Sequence, residues 1–207
     1  INGGNTTLTR CNVSGNTASQ GGAVLTQAVS VNAGMTISNC TFSGNSATTG
    51  SGLVNVASGA GITTTLMLSN STVANNTGPG SAVVTLVNSG SANTTLRNNI
   101  YAGHGGDNVA NVAPGSTTSL GNNLSDDATG GGGPGDLINT DPLLAPLGNY
   151  GGATQTYALL PGSPAINAGS STGAPPTDQR GIVRPQLGTQ DIGAFESRGF
   201  VLSVVSG

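Results

Sequence analysis

Charge is what this chain has least of. Only 6% of its 207 residues are charged, where a typical soluble domain carries about 25%. Lys and Trp are missing altogether, and aromatic residues make up 3%. With five Arg and eight acids the chain has little means of neutralising a phosphate backbone, which excludes nucleic acid as a partner. No apolar run approaches the ~20 residues of a spanning helix, so no membrane span is expected. No secretory leader is expected in this stretch, which opens inside a repeat, as a mature or excised part of a longer protein would. Disorder does not follow from the low charge. Disordered chains usually combine high charge with few β-branched residues, and here Val, Ile and Thr are abundant and regularly placed.

What the chain does have is a repeat. Leu8-Thr-Arg-Cys-Asn-Val13-Ser-Gly-Asn16 returns as Ile37-Ser-Asn-Cys-Thr-Phe42-Ser-Gly-Asn45 and as Leu68-Ser-Asn-Ser-Thr-Val73-Ala-Asn-Asn76. Weaker copies are Leu96-Arg-Asn-Asn-Ile-Tyr101 and Leu120-Gly-Asn-Asn-Leu124. The spacing, roughly 24–31 residues, is that of a solenoid, whose units bury their apolar faces only by stacking on one another. Within a unit, Met35 and Ile37 alternate with polar residues, as do Cys40 and Phe42; this period of two marks strands. Ser43-Gly44-Asn45 is a turn, and a second apolar strand follows, such as Leu53–Val56 or Ala82–Leu86. Two or three short strands per coil predict an all-β parallel β-helix.

The repeat also aligns columns. Asn39, Asn70, Asn98 and Asn122 share one register, with Arg10 at its start. Stacked amides in such a column are expected to hydrogen-bond to the coils above and below, as Asn ladders do in cross-β structures. Cys11 and Cys40 share another register. Coils stack about 4.8 Å apart, so the thiols should be neighbours. A disulfide is one outcome; the poor geometry of directly stacked neighbours favours a free, buried pair.

The pattern changes near Asp126. Ala128-Thr-Gly-Gly-Gly-Gly-Pro-Gly135 has the composition of a flexible loop. Nine of the ten prolines fall from Pro114 onward, and proline interrupts ladders, so loops and edge strands are expected there. This divides the chain into coils over 1–135, terminal coils with a loop-rich C-terminal cap over 136–196, and a tail over 197–207. In the tail, Phe200, Leu202 and Val204 belong to an apolar strand suited to strand addition or to a following domain.

The Cys-Thr-Phe-Ser-Gly-Asn-Ser-Ala47 unit and the short apolar strand after it resemble the repeats of polymorphic outer-membrane proteins and related bacterial surface β-helices. Asp141-Pro-Leu-Leu, Tyr157-Ala-Leu-Leu-Pro-Gly-Ser-Pro-Ala-Ile166, Thr177-Asp-Gln-Arg-Gly181 and Asp191-Ile-Gly-Ala-Phe-Glu196 together resemble the C-terminal module of "choice-of-anchor Q" bacterial surface proteins. The resemblance implies a right-handed parallel β-helix of the pectin-lyase-like class, exported and joined to further repeat domains. It implies no catalytic residue.

Little chemistry remains to be placed. Polysaccharide lyases and hydrolases need clustered carboxylates or a carboxylate-bound Ca²⁺, and residues 11–96 contain no charged side chain. Asp126, Asp127 and Asp136 flank the Gly-rich loop and could hold calcium, although a solvated acidic loop is the simpler expectation. His104, in Ala-Gly-His-Gly-Gly, is expected at the surface of a turn. Asp178, Arg180, Asp191 and Glu196, with Arg184 nearby, are expected to form a salt-bridge network that pins the cap. The seven Asn-x-Ser/Thr sequons are a by-product of composition, and no regular Thr-x-Thr column recurs as an ice-binding face would require. The expected function is therefore a non-catalytic structural or adhesive module at the bacterial cell surface. Its expected partners are copies of itself joined end to end, adjoining domains, or surface glycans. The alternative is a β-helix that binds or degrades polysaccharide.

Overall fold

A computed structural model gives the structure, described over residues 4–199. It is an all-β solenoid of about four turns with no helix among the described residues. The first coil contains β1 (Gly4–Thr9), β2 (Asn12–Ser14), β3 (Thr17–Gln20) and β4 (Val24–Ala28). The second contains β5 (Ala33–Ser38), β6 (Thr41–Ser43), β7 (Ser46–Thr49) and the start of β8 (Leu53–Ser69). β9 (Thr72–Ala74), β10 (Val83–Arg97), β11 (Ile100–Ala102), β12 (Val109–Val112), β13 (Ser116–Ser119) and β14 (Leu124–Ser125) complete the set.

All pairings between these strands are parallel. One sheet runs β1-β5-β8-β10-β12, with β4 beside β8 and β13 beside β10. A second runs β2-β6-β9-β11-β14, and a third pairs β3 with β7. The register places Leu8, Ile37, Leu68 and Leu96 in one inward column and Val13, Phe42, Val73 and Tyr101 in another. Val24, Leu53, Val83 and Val109 form a third. These columns make the main core, in which Ile37, Phe42, Leu53, Leu68 and Tyr101 are fully buried. Each such side chain contributes about 1.5–3 kcal/mol of burial. No coil could gain this alone, since its ring of apolar groups needs the neighbouring rings as a surface.

Each coil turns at two short corners built alike. At the first, a residue with positive φ precedes an inward-facing one: Arg10-Cys11, Asn39-Cys40, Asn70-Ser71, Asn98-Asn99 and Asn122-Asn123. At the second, the pairs are Gly15-Asn16, Gly44-Asn45, Asn75-Asn76 and Gly103-His104. The left-handed backbone reverses the chain in one residue. Gly accepts this freely, and Asn is the commonest substitute because its side chain tolerates the region.

Beyond Asp136 the chain adds one more bridge, Leu137 beside Leu124, and then leaves the stack. The expected terminal coils over 136–196 are thus a single rung. The remainder runs back along the flank of the second sheet toward the first coil. Thr41 Oγ1 lies 2.9 Å from Thr156 Oγ1 and donates to Gln179 Oε1 at 2.7 Å. Ser43 meets the Tyr157 hydroxyl, Ala194 N–H donates to Thr72 Oγ1 at 3.1 Å, and Gly193 N–H donates to Asn98 O at 2.9 Å. From β6 to β14 the second sheet is consequently buried on both faces. Its outward Ile100 and Leu124 pack with Leu159, Ala165, Ile192 and Phe195 in a second core.

Candidate functional site

Two side-chain ladders run through the corners. In the second-corner ladder, Asn45 Oδ1 accepts both the backbone N–H and the Nδ2–H of Asn16, at 3.1 and 3.0 Å. Asn76 Oδ1 accepts the same two groups of Asn45, at 3.0 and 2.9 Å. His104 Nδ1 then takes Asn76 N–H at 3.2 Å. In the first-corner ladder, Cys11 N–H donates to Cys40 Sγ (3.3 Å), Cys40 N–H to Ser71 Oγ (3.1 Å), Ser71 N–H to Asn99 Oδ1 (3.1 Å) and Asn99 N–H to Asn123 Oδ1 (3.0 Å). Asn123 N–H ends on Asp136 Oδ1 at 2.7 Å. The sequence separations of these steps are 29, 31, 28, 24 and 13 residues, so the coil shortens sharply at its end.

The column of Asn39, Asn70, Asn98 and Asn122 has the shared register expected of it, but its amides do not bond to one another. They point outward to the returning C-terminal segment. Asn39 Nδ2 donates to Thr177 O (2.7 Å), Asn98 Nδ2 to Ser170 O (2.8 Å) and Asn122 Nδ2 to Ala168 O (2.9 Å), while Arg10 Nε donates to Gln179 O (3.0 Å). Asn70 is fully buried with both amide atoms unpartnered. The reason is the corner itself: the left-handed residue turns its side chain out of the stack, and the residue after it faces in.

Cys11 and Cys40 are both free thiols. Cys40 is fully buried. Burial, with its neighbour Cys11, pushes the Cys40 thiol up to about 12, so it serves as a neutral acceptor for Cys11 N–H. His104 is a ladder terminus instead of the surface residue expected. Its Nδ1 accepts from Asn76 N–H, and Nε2 lies 3.0 Å from Val73 O. That geometry selects the neutral ring with its proton on Nε2. Burial holds His104 below its usual 6.5, against the opposing pull of the Val73 and Asn76 backbone and of Asp126 and Asp127.

Asp126, Asp127 and Asp136 do not converge on a calcium site. Asp126 accepts from Gly103 N–H and Asn108 Nδ2, both at 2.7 Å. Asp127 accepts from Asn108 N–H, Thr129 N–H and the Thr129 hydroxyl at 2.7 Å, and from the Ser125 hydroxyl at 2.9 Å. Although partial burial pushes the Asp127 carboxyl up, these donors outweigh it and hold it below the usual value. Asp136 accepts from Asn123 and Gly133 N–H at 2.7 Å and from Ser119 Oγ at 2.6 Å. Among the described residues no three His, Cys, Asp or Glu side chains are grouped to hold a metal ion.

The C-terminal charges form two buried ion pairs. Arg180 Nη2 meets Asp178 Oδ2 at 2.7 Å, and Arg184 Nη1 meets Glu196 Oε2 at 2.9 Å. Arg180 also lies over the Phe195 ring, 3.5 Å from its centroid. Asp191 is in neither pair; its carboxylate accepts Asn167 N–H (2.8 Å) and Ser197 N–H. Burial raises Asp191 to about 6, with Glu196 adding to the rise and the Asn167 and Ser197 donors and Arg184 opposing it. Phe200, Leu202 and Val204 lie outside the described residues.

Two cavities border this framework. One, of about 570 Å³, is lined by Asn75, Gly103, Asp126, Asn139, Asp141 and Leu144. The other, of about 370 Å³, has a wall of Pro175, Pro176 and Pro185 with Arg184 and Gln190.

The two Asn columns should respond oppositely to glycine. Asn45→Gly removes a fully buried amide that accepts two hydrogen bonds from Asn16 and donates to Val13 O and Asn76 Oδ1, at a cost of about 2–4 kcal/mol in urea unfolding. Asn70→Gly keeps the left-handed corner and removes a buried unpartnered amide, so it should cost under about 0.5 kcal/mol or stabilise. His104 gives a pH test. Its folded value is depressed, so its contribution is complete above pH 6.5 and lost progressively as pH falls below that toward the folded value. Asp191, raised to about 6, acts in the opposite sense, gaining stability as pH falls through 6. The difference between wild type and His104→Asn isolates the histidine: the variant should lose less stability from pH 7 to pH 5. No protein-family model, no curated protein and no solved structure matches the chain.

Proposed function

We propose that the protein is a non-catalytic structural or adhesive β-solenoid module of a bacterial cell surface, working outside the cell. One observation carries the non-catalytic part. Both oxygens of Asp126, Asp127, Asp136, Asp178, Asp191 and Glu196 accept hydrogen bonds from the chain's own donors. A general acid or base needs an oxygen free to meet a substrate proton, and these six carboxylates are committed to backbone N–H groups, hydroxyls and arginines. The uncharged coil surface between Arg10 and Arg97 supports the same reading. Its partners in that role are adjoining domains of a longer chain and surface glycans.

The alternative, polysaccharide binding or degradation, has one observation in its favour: the 570 Å³ cleft holding Asp126 and Asp141, of which Asp141 is exposed. Lyase and hydrolase assays on pectin-like and neutral polysaccharides, with and without Ca²⁺, separate the two. No turnover is expected. Turnover abolished by Asp126→Asn or Asp141→Asn, in variants that keep the wild-type unfolding midpoint, would overturn the proposal.

A further inference from the structure

The returning segment is pinned to the stack on either side of an arch, 171–176. On one side Asn39 Nδ2 donates to Thr177 O at 2.7 Å. On the other, Asn98 and Ser170 exchange two hydrogen bonds, at 2.8 and 2.9 Å. Asn70, at the corner between Asn39 and Asn98, finds no partner there. A second turn, 184–190, is tied to the arch by Arg184 N–H, which donates to Pro176 O at 2.9 Å. The cavity of about 370 Å³ is walled by these two segments alone.

Its wall combines carbon surface with unused donors. Ala174, Pro175, Pro176 and Pro185 supply the carbon. Gln190 is 3% exposed, and its Nε2 has no acceptor. Arg184 is 7% exposed, and its Nε–H has none either. A buried donor left unmet costs about 1–3 kcal/mol, so two in one wall are a cost that an oxygen-bearing occupant would remove. The rest of both residues is fixed. Arg184 Nη1 donates to Asp191 O and Glu196 Oε2, each at 2.9 Å, and Nη2 donates to Gly193 O at 2.7 Å. Gln190 O takes Gly169 N–H at 2.8 Å. What the two residues have left over is one N–H donor each, in the wall of the same cavity.

We propose that this cavity binds a neutral sugar unit, held by Gln190 and Arg184 against the proline wall. The proposal rests on the reading of surface glycans as partners and gives them a site. Charge argues against an anion, because Arg184 is already paired with Glu196. The prolines argue against an added peptide strand: they have no N–H to offer, and strand addition runs on main-chain hydrogen bonds. A sugar ring suits both parts of the wall. Its C–H face lies on the proline rings, and two of its oxygens accept from Arg184 Nε–H and Gln190 Nε2–H. Ligand pockets span about 300–1,000 Å³. This cavity stands near the small end, which gives room for the end of a glycan and not for its length.

NMR of the Gln190 side-chain amide and the Arg184 Nε–H, titrated with glucose, galactose, mannose and N-acetylglucosamine, tests the site. At least one of the four sugars should shift both signals. Gln190→Leu replaces an unpartnered amide by carbon, so it should keep the wild-type urea midpoint and weaken binding of that sugar ~10-fold. Pro176→Ala, at an exposed wall residue, strips only the ring and should weaken it roughly fourfold; it serves if Gln190→Leu does not fold. Shifts produced by sodium sulfate or by a proline-rich peptide, and by none of the sugars, would overturn the proposal. Sugar binding that the folded variants leave unchanged would overturn it too, while the glycan reading stood. No shift anywhere in the chain with any of the sugars would remove the site and surface glycans as partners together.

Discussion

The fold rests on the way a solenoid corner satisfies its own backbone. A tight corner exposes N–H groups that no strand partner can reach, and a buried unmet donor costs about 1–3 kcal/mol. Here the inward residue of each corner supplies an acceptor to the coil before it, so one side chain per corner per coil resolves the problem. Asn does this best, since a single Oδ1 takes both the N–H and the Nδ2–H of the preceding Asn, as Asn45 and Asn76 do. Ser71 and Cys40 do the same with one acceptor each. The apolar columns provide most of the burial energy, but the ladders fix the register in which those columns meet.

The same requirement explains where the charges are. A ladder that stops needs an acceptor with no donor of its own, and an ionised carboxylate is the side chain that meets this condition. Acids therefore appear only from Asp107 onward, where the stack runs out. Asp126, Asp127 and Asp136 form an electrostatic end-stop to a neutral structure. In the returning segment, Asp178 and Glu196 hold buried arginines and tie the loops that cover the second sheet. Arg184 and Glu196 are about 1% exposed as side chains, so removing either alone would leave a buried charge without its partner.

Much of the fold could be read from the chain. The spacing of Leu8, Ile37, Leu68 and Leu96, and of Val13, Phe42, Val73 and Tyr101, predicts both apolar columns in register. The polar chemistry was harder to read, because each corner places two polar residues side by side. In Asn98-Asn99 and Asn122-Asn123 nothing in the residue types says which amide turns inward; the backbone of the corner decides. The inward column was further disguised by beginning with Cys11, Cys40 and Ser71. The Gly-rich segment is flexible by composition, yet it is used for its missing Cβ atoms. The return along the flank rests on contacts such as Thr41 with Gln179 and Ser43 with Tyr157, separated by 138 and 114 residues, for which a local pattern holds no signal.

Hydrogen exchange of the corner amides tests most directly whether the ladders hold the coils together. The backbone N–H groups of Cys40, Asn45, Ser71 and Asn99 lie at turns, and turn amides ordinarily exchange through small local openings. If their side-chain acceptors lock them, they should exchange as slowly as the strand amides of Phe42 and Leu68, by unfolding of the whole stack. Exchange of these four at the rate of exposed turns such as Gly162, while Phe42 and Leu68 stay protected, would contradict the account.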